Sequence, residues 1–184
     1  MARAYIGVGS NIDRERNVIA ALDGLSAAYG ELVLSSVFES EAVGFEGDPF
    51  YNLVVGVDTT HGVRELLDTL GQVEVASERR RDTPRFSSRT LDLDLLTYAD
   101  LVGSIDGVSL PRNEILRNAF VLCPLAEIAG AEIHPSTRRT YADLWRDFDA
   151  RDQRLWPVAF SWNGLPISKA EPREPRSPDP GSVR

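Results

Sequence analysis

The chain predicts an α+β domain built on an antiparallel sheet, and three observations carry that expectation. Two segments repeat apolar residues at helical spacing, four others are apolar or alternating over strand length, and they follow one another as β-α-β-β-α-β. That order is the split β-α-β, ferredoxin-like arrangement, in which an antiparallel sheet carries both helices on one face. At 184 residues the chain suffices for one such domain, with burial of roughly two thirds of its unfolded surface.

Arg3 to Val8 reads as a buried strand, and Gly7-Val8-Gly9-Ser10-Asn11 turns it into a loop. Residues 17–29 place Val18, Leu22, Leu25 and Tyr29 at helical spacing, and Gly30 stops that helix. Leu32 to Phe38 is the second strand, residues 39–49 an acidic, glycine-punctuated loop, and Phe50 to Val57 the third strand. After the connection Thr59–Gly62, the spacing of Val63, Leu66, Leu67, Leu70 and Val73 predicts a second amphipathic helix, which runs into an arginine-rich loop. Thr90 to Tyr98 is the fourth strand. Beyond it a hairpin is expected over Leu101–Leu110 with Asp106-Gly107 as its turn, then short helices over Phe120–Ile128 and Tyr141–Phe148. Residues 155–167, with Trp156, Phe160 and Trp162, are expected to pack back on the body as a C-terminal extension. A single domain over 1–167 and a disordered Pro-rich tail over 168–184 complete the expectation.

Composition excludes several classes of function. No run approaches the roughly 18 apolar residues of a membrane span, and the first residues lack the layout of a signal peptide, so a cytoplasmic location is expected. Cys123 is the only cysteine, which excludes an internal disulfide and a cysteine-rich metal site. The only lysine is Lys169, so lysine-based Schiff-base or phosphate chemistry is excluded from the body. A net charge of -8 and a pI near 4.8 argue against nucleic acid. No partner beyond small molecules is expected, and the chain is expected to be a monomer.

Chemistry concentrates between Glu78 and Leu96. Arg79, Arg80, Arg81, Arg85 and Arg89 precede a strand in which Thr90, Asp92 and Asp94 share one face and Leu91, Leu93 and Leu95 the other. If the leucines enter the core, both aspartates look outward, roughly 6–7 Å apart along the strand. Two such carboxylates can share a pair of cations about 4 Å apart. Taken singly, a D-x-D pair and an arginine run also describe a solvated face and a solvated loop. Side by side they suit a magnesium-bound polyphosphate, with the arginines on the anion and the acids on the metal.

The octet Arg89-Thr-Leu-Asp-Leu-Asp-Leu-Leu96, with Tyr-Ile-Gly-Val-Gly-Ser-Asn at 5–11 and Phe-Val-Leu-Cys-Pro-Leu-Ala-Glu-Ile-Ala at 120–129, resembles the 6-hydroxymethyl-7,8-dihydropterin pyrophosphokinase family. The resemblance runs collinearly from about Ala4 to Pro135 and agrees with the predicted fold. It implies transfer of pyrophosphate from ATP, the co-substrate, to the hydroxymethyl group of a reduced pterin, with release of AMP and two Mg2+ ions as cofactors. On motif match Asp92 and Asp94 take the metal role, and Arg79, Arg89 and Arg112 face the transferred phosphates. Glu74, Arg81, Phe86, Leu95 and Ser109 fall on the nucleotide side. Glu74 reads equally as a surface acid of the second helix. Ser40, Glu41, Val43, Phe50, Asn52 and Phe120 fall on the pterin side.

Several positions depart from the family's pattern. Pro111-Arg112-Asn113 stands where family members carry a histidine after the metal strand, so a fixed cation replaces a titratable one. Ser40-Glu41-Ala42 replaces a proline-containing turn, and Glu41 is either a solvent acid or a partner for the pterin's edge. Ser87-Ser88 precedes Arg89 in place of Gly-Pro, and Arg117-Asn118-Ala119-Phe120 offsets an arginine by one residue. His61 and His134 read as structural. These departures keep a second reading open, a non-catalytic paralogue that binds a pterin, a nucleotide or a protein partner. A third is a domain used only for protein assembly.

Overall fold

A computed structural model describes residues 1–41, 48–79 and 91–170. Its elements are β1 (Ala2–Ser10), α1 (Arg14–Tyr29), β2 (Val33–Leu34), β3 (Phe38–Ser40), β4 (Phe50–Thr59), α2 (Val63–Arg79) and β5 (Asp92–Tyr98). They continue as β6 (Gly103–Ile105), β7 (Val108–Leu110), a 3-10 turn (Asn113–Leu116), α3 (Ala119–Ala129), α4 (Tyr141–Arg146), β8 (Leu155–Pro157), β9 (Phe160–Trp162) and β10 (Leu165–Ser168). The main sheet runs β5-β1-β4-β3-β8, with β2 also on β4, and every pairing in it is antiparallel. The expected order of elements is therefore present, and the two long strands β1 and β4 form its centre.

Alternation along β1 divides the core in two. Ala4, Ile6 and Val8 face α1 and α2 and join Val18, Leu22, Leu25, Leu66 and Leu70. Tyr5 faces the other way, toward Leu122 and Leu125 of α3 and Tyr141 of α4. The sheet is thus covered on both faces, where the helical periodicity of the first half predicts helices on one. Replacing Leu22, which is fully buried, by alanine is expected to cost about 2–5 kcal/mol, read from the urea midpoint of unfolding. Helices α1 and α2 cross so closely that a Cβ on Gly24 would stand 2.8 Å from the Val73 methyls, which explains a glycine inside a helix.

Two local departures from simple periodicity shape the sheet. The expected single strand Leu32–Phe38 is two short strands. Ser35 interrupts them because its Oγ accepts the Val54 N–H at 2.9 Å while its own N–H donates to the Val54 carbonyl at 3.1 Å. The strand then resumes and runs on to Ser40, two residues into the expected loop. In β5 a bulge opposite Tyr5 and Ile6 leaves Leu96 as the extra residue. Leu95 consequently packs in the first cluster and Leu96 in the second, so adjacent leucines serve opposite faces.

The β6–β7 hairpin turns at Asp106-Gly107, both with positive φ (50° and 87°), as a two-residue primed turn requires. Residues 155–167 do return to the body. β8 extends the main sheet beside β3, and Trp162 Nε1 donates to Asp23 Oδ1 at 2.9 Å. The acidic segment 42–47, most of the arginine-rich loop and the tail from 171 lie outside the described residues.

His134 supplies a pH-dependent element of stability. It is 1% exposed, its Nδ1 accepts the N–H groups of Ser136 and Thr137, and its ring meets Tyr141 edge-on. Burial holds its pKa below the ordinary imidazole value, with a backbone hydrogen bond opposing in part. The native state therefore binds fewer protons than the unfolded chain as pH falls through about 6.5, and stability should decline in that direction and level off above it. His134→Gln should flatten the slope of unfolding midpoint against pH between about 5 and 7.

Candidate active site

The D-x-D and G-x-G motifs meet through strand register. Gly9 pairs with Asp92 and Gly7 with Asp94 across β1 and β5, while on the other side Gly9 pairs with Asn52 and Gly7 with Val54 of β4. Paired residues share a face of a sheet. The two glycines thus leave a bare strip of backbone between the carboxylates and Asn52. A Cβ on Gly7 would touch the Leu96 side chain at 3.4 Å, and one on Gly9 would reach Asn52 Oδ1 at 3.5 Å.

That strip floors a cavity of about 280 Å³. One wall carries Asp92, Asp94, Arg112 and Glu114, and the opposite wall Ser40, Glu41, Phe50 and Asn52. Phe120 and Val121, on the first turn of α3, and Asn118 just before it close the far side. The walls differ in chemistry. The first has three carboxylates and one guanidinium, which contacts two of them, Asp94 and Glu114. In the second, Asn52 Nδ2 donates to Ser40 Oγ at 2.9 Å with both residues buried, beside the Phe50 and Phe120 rings. The first wall suits a cation with its anionic ligand, the second a flat polar heterocycle.

Arg112 is fixed at the boundary. Its backbone N–H donates to the Leu96 carbonyl at 2.8 Å, which ties it to β5 two residues beyond Asp94. Its Nη2 donates to Asp94 Oδ1 at 3.1 Å and to Glu114 Oε1 at 3.0 Å. Glu74 has a different position. From α2 its Oε1 accepts the Leu93 N–H at 2.8 Å, so it braces the strand between the two aspartates and does not line the cavity.

The donor set fits magnesium. Asp92 is half-buried and Asp94 exposed, both are hard oxygen donors on one face, and no group of three or more His, Cys, Asp or Glu gathers as a metal cluster among the described residues. Two carboxylates with an open cavity beside them match an ion that keeps several waters and takes its other ligands from phosphates. The metal would supply charge neutralisation and positioning for a phosphoryl group.

Of the residues singled out from sequence, the cavity gathers Asp92, Asp94, Arg112, Ser40, Glu41, Phe50, Asn52 and Phe120. It does not gather Leu95, which is 3% exposed in the first core cluster, or Ser109, which is exposed on β7 opposite Ser104. Val43, Arg81, Phe86 and Arg89 lie outside the described residues, as does the side chain of Arg79, the last residue of α2. Glu114 was missed from sequence. Its proximity to Arg112, two residues away, is a signal, but nothing in the spacing shows that both meet Asp94. Cys123, on α3, has no part in the cavity, and burial pushes its thiol up to about 12, away from nucleophilic use.

Residues 5–130 match the family model described as 7,8-dihydro-6-hydroxymethylpterin-pyrophosphokinase (HPPK). The chain is 36% identical over 133 residues to the 2-amino-4-hydroxy-6-hydroxymethyldihydropteridine pyrophosphokinase of Methylorubrum extorquens, covering 70% of this chain and 84% of that protein. It is 37% identical over 130 residues to the Bacillus subtilis protein of the same name, covering 68% and 77%. Among solved structures, wild-type HPPK-DHPS of Plasmodium falciparum with pterin and p-hydroxybenzoate superposes with a TM-score of 0.69 at 13% identity. The match covers 91% of this chain and 48% of that one, so this chain spans about half its length, and the likeness concerns the fold.

Proposed function

The chain belongs to the 7,8-dihydro-6-hydroxymethylpterin-pyrophosphokinase family, and from that membership we infer that it transfers pyrophosphate from ATP to 6-hydroxymethyl-7,8-dihydropterin, releasing AMP, in folate biosynthesis. In this reaction the pterin's hydroxymethyl oxygen attacks the β-phosphorus, the bond from that phosphorus to the α,β-bridging oxygen breaks, and the hydroxyl proton is lost. The observation that carries the reading is the register that sets Asp92 and Asp94 beside Gly9 and Gly7, facing Asn52 across one cavity.

The residues divide the work as follows. Asn52 and Ser40 read the polar edge of the pterin, with Glu41 on its amino-pyrimidinone side and Val43 beside it. Phe50 and Phe120 cover its faces. Asp92 and Asp94 would hold two Mg2+ ions, and the chemistry these would supply is charge neutralisation of the triphosphate. Arg112, with Arg79, Arg81 and Arg89, binds the phosphates, and Phe86 serves the nucleotide, while the positions of Leu95 and Ser109 away from the cavity leave them no part in it. Such a transfer relies on positioning and electrostatics, with no covalent intermediate on the protein. We read the fold as ferredoxin-like with a C-terminal extension, acting as a cytoplasmic monomer without nucleic acid. The one domain expected over 1–167 runs one residue further, through Ser168 at the end of β10, with a tail beyond it. No helix among the described residues is long and apolar enough to cross a membrane.

The test is AMP release from ATP with 6-hydroxymethyl-7,8-dihydropterin and Mg2+. Stoichiometric AMP and pterin pyrophosphate are expected. Calorimetric binding of the pterin with a non-hydrolysable ATP analogue, but no AMP in the assay, would instead establish the non-catalytic reading.

A further inference from the structure

One nitrogen of Arg112 is shared between two carboxylates of different standing. Its Nη2 donates to Asp94, here assigned to metal, and to Glu114, to which the functional reading gives no role. Glu114 lies in the 3-10 turn Asn113–Leu116 that follows Arg112 directly, so backbone geometry keeps the pair together. The arginine is 28% exposed at its side chain and Asp94 54%, so their contact is the kind that exchanges readily. Arg112 Nε is buried with no hydrogen-bond partner among the described residues, leaving a donor beside the cavity without an acceptor.

We propose that Arg112 is an internal counter-ion of Asp94, held in place by Glu114, and that a divalent cation must displace it to reach that carboxylate. A guanidinium and a metal ion repel each other and compete for the same oxygen. Because the Arg112 backbone is tied to Leu96, the displaced guanidinium cannot travel far. Glu114 retains it at the cavity wall, where its free donors face an incoming phosphate. Glu114 is thus a positioning residue that acts through Arg112. The proposal rests on the functional reading for the identity of that phosphate, while the competition for Asp94 stands on geometry alone.

The test uses Mn2+ alone, without nucleotide, titrated into the full chain and read by the electron-spin resonance of the free ion. Arg112→Ala should tighten Mn2+ binding roughly two- to fivefold, the range an ion pair of this exposure represents. Asp94→Asn should remove that gain. Glu114→Gln should weaken Mn2+ binding in the parent, since Arg112 then pairs with Asp94 alone, and should do so by less than half as much in the Arg112→Ala background. Unchanged or weaker Mn2+ binding in Arg112→Ala overturns the counter-ion. An equal effect of Glu114→Gln in both backgrounds overturns the positioning role. Run beside these, the AMP assay separates the two readings. Tightened Mn2+ binding with no AMP from the parent sustains the counter-ion and overturns the pyrophosphokinase, and AMP release with unchanged Mn2+ affinity does the reverse.

Discussion

Asp92→Asn and Asp94→Asn are each expected to lower turnover by about 100- to 1,000-fold or more, the scale seen when one preorganised charge-stabilising group is lost. Each substitution keeps the side chain's shape and removes its negative charge, so the loss falls on the cation and the phosphates it organises. Stability should move little. Asp94 is exposed, Asp92 is half-buried, and the residues that anchor β5 in the core are its neighbours Leu91, Leu93 and Leu95. Loss of a solvent-exposed ion pair such as Asp94–Arg112 shifts unfolding by about 1 kcal/mol or less. Steady-state AMP release beside a urea melt measures both quantities. A variant that keeps near-parental turnover would remove the metal assignment from that residue.

Arg112→Ala is expected to lose about 2–4 kcal/mol of transition-state stabilisation, roughly 30- to 1,000-fold in kcat/KM. The residue stands on the cavity wall with its guanidinium on Asp94 and Glu114, and no other lysine or arginine among the described residues lines that cavity. Arg112→His should remain active, because an imidazolium still places positive charge there. Its rate should gain an ionisation near pH 6.5 that the parent lacks, since a guanidinium keeps its charge throughout the accessible range. Activity should then fall as pH rises through that value and the imidazole loses its proton. Superimposable pH–rate profiles for parent and histidine variant, or full activity in the alanine variant, would place Arg112 outside the phosphate contacts.

The expected loss in Arg112→Ala and the expected gain in its Mn2+ affinity have opposite signs, and both follow from one location. On the proposed reading, the guanidinium opposes the metal at Asp94 without nucleotide and neutralises phosphate with it. A residue that merely buttressed the fold would move both measurements in the same direction.

What the sequence determined by itself is everything that depends on near neighbours. Strand periodicity put Asp92 and Asp94 on one face, helical spacing placed α1 and α2, and Asp106-Gly107 marked a primed turn, because each follows from backbone geometry over a few residues. The tertiary structure alone decided what lies across from those residues. The register that brings Gly7 and Gly9 beside the aspartates, the bulge that sends Leu96 to the face opposite Leu95, and the Ser35 interruption of the second strand are all settled by pairing with distant strands. Glu74 and Glu114 show the same division. Both are acids near the site in sequence, yet one braces the Leu93 backbone and the other holds Arg112. Their roles depend on which donor the folded chain brings within about 3 Å, and local spacing carries no information about that.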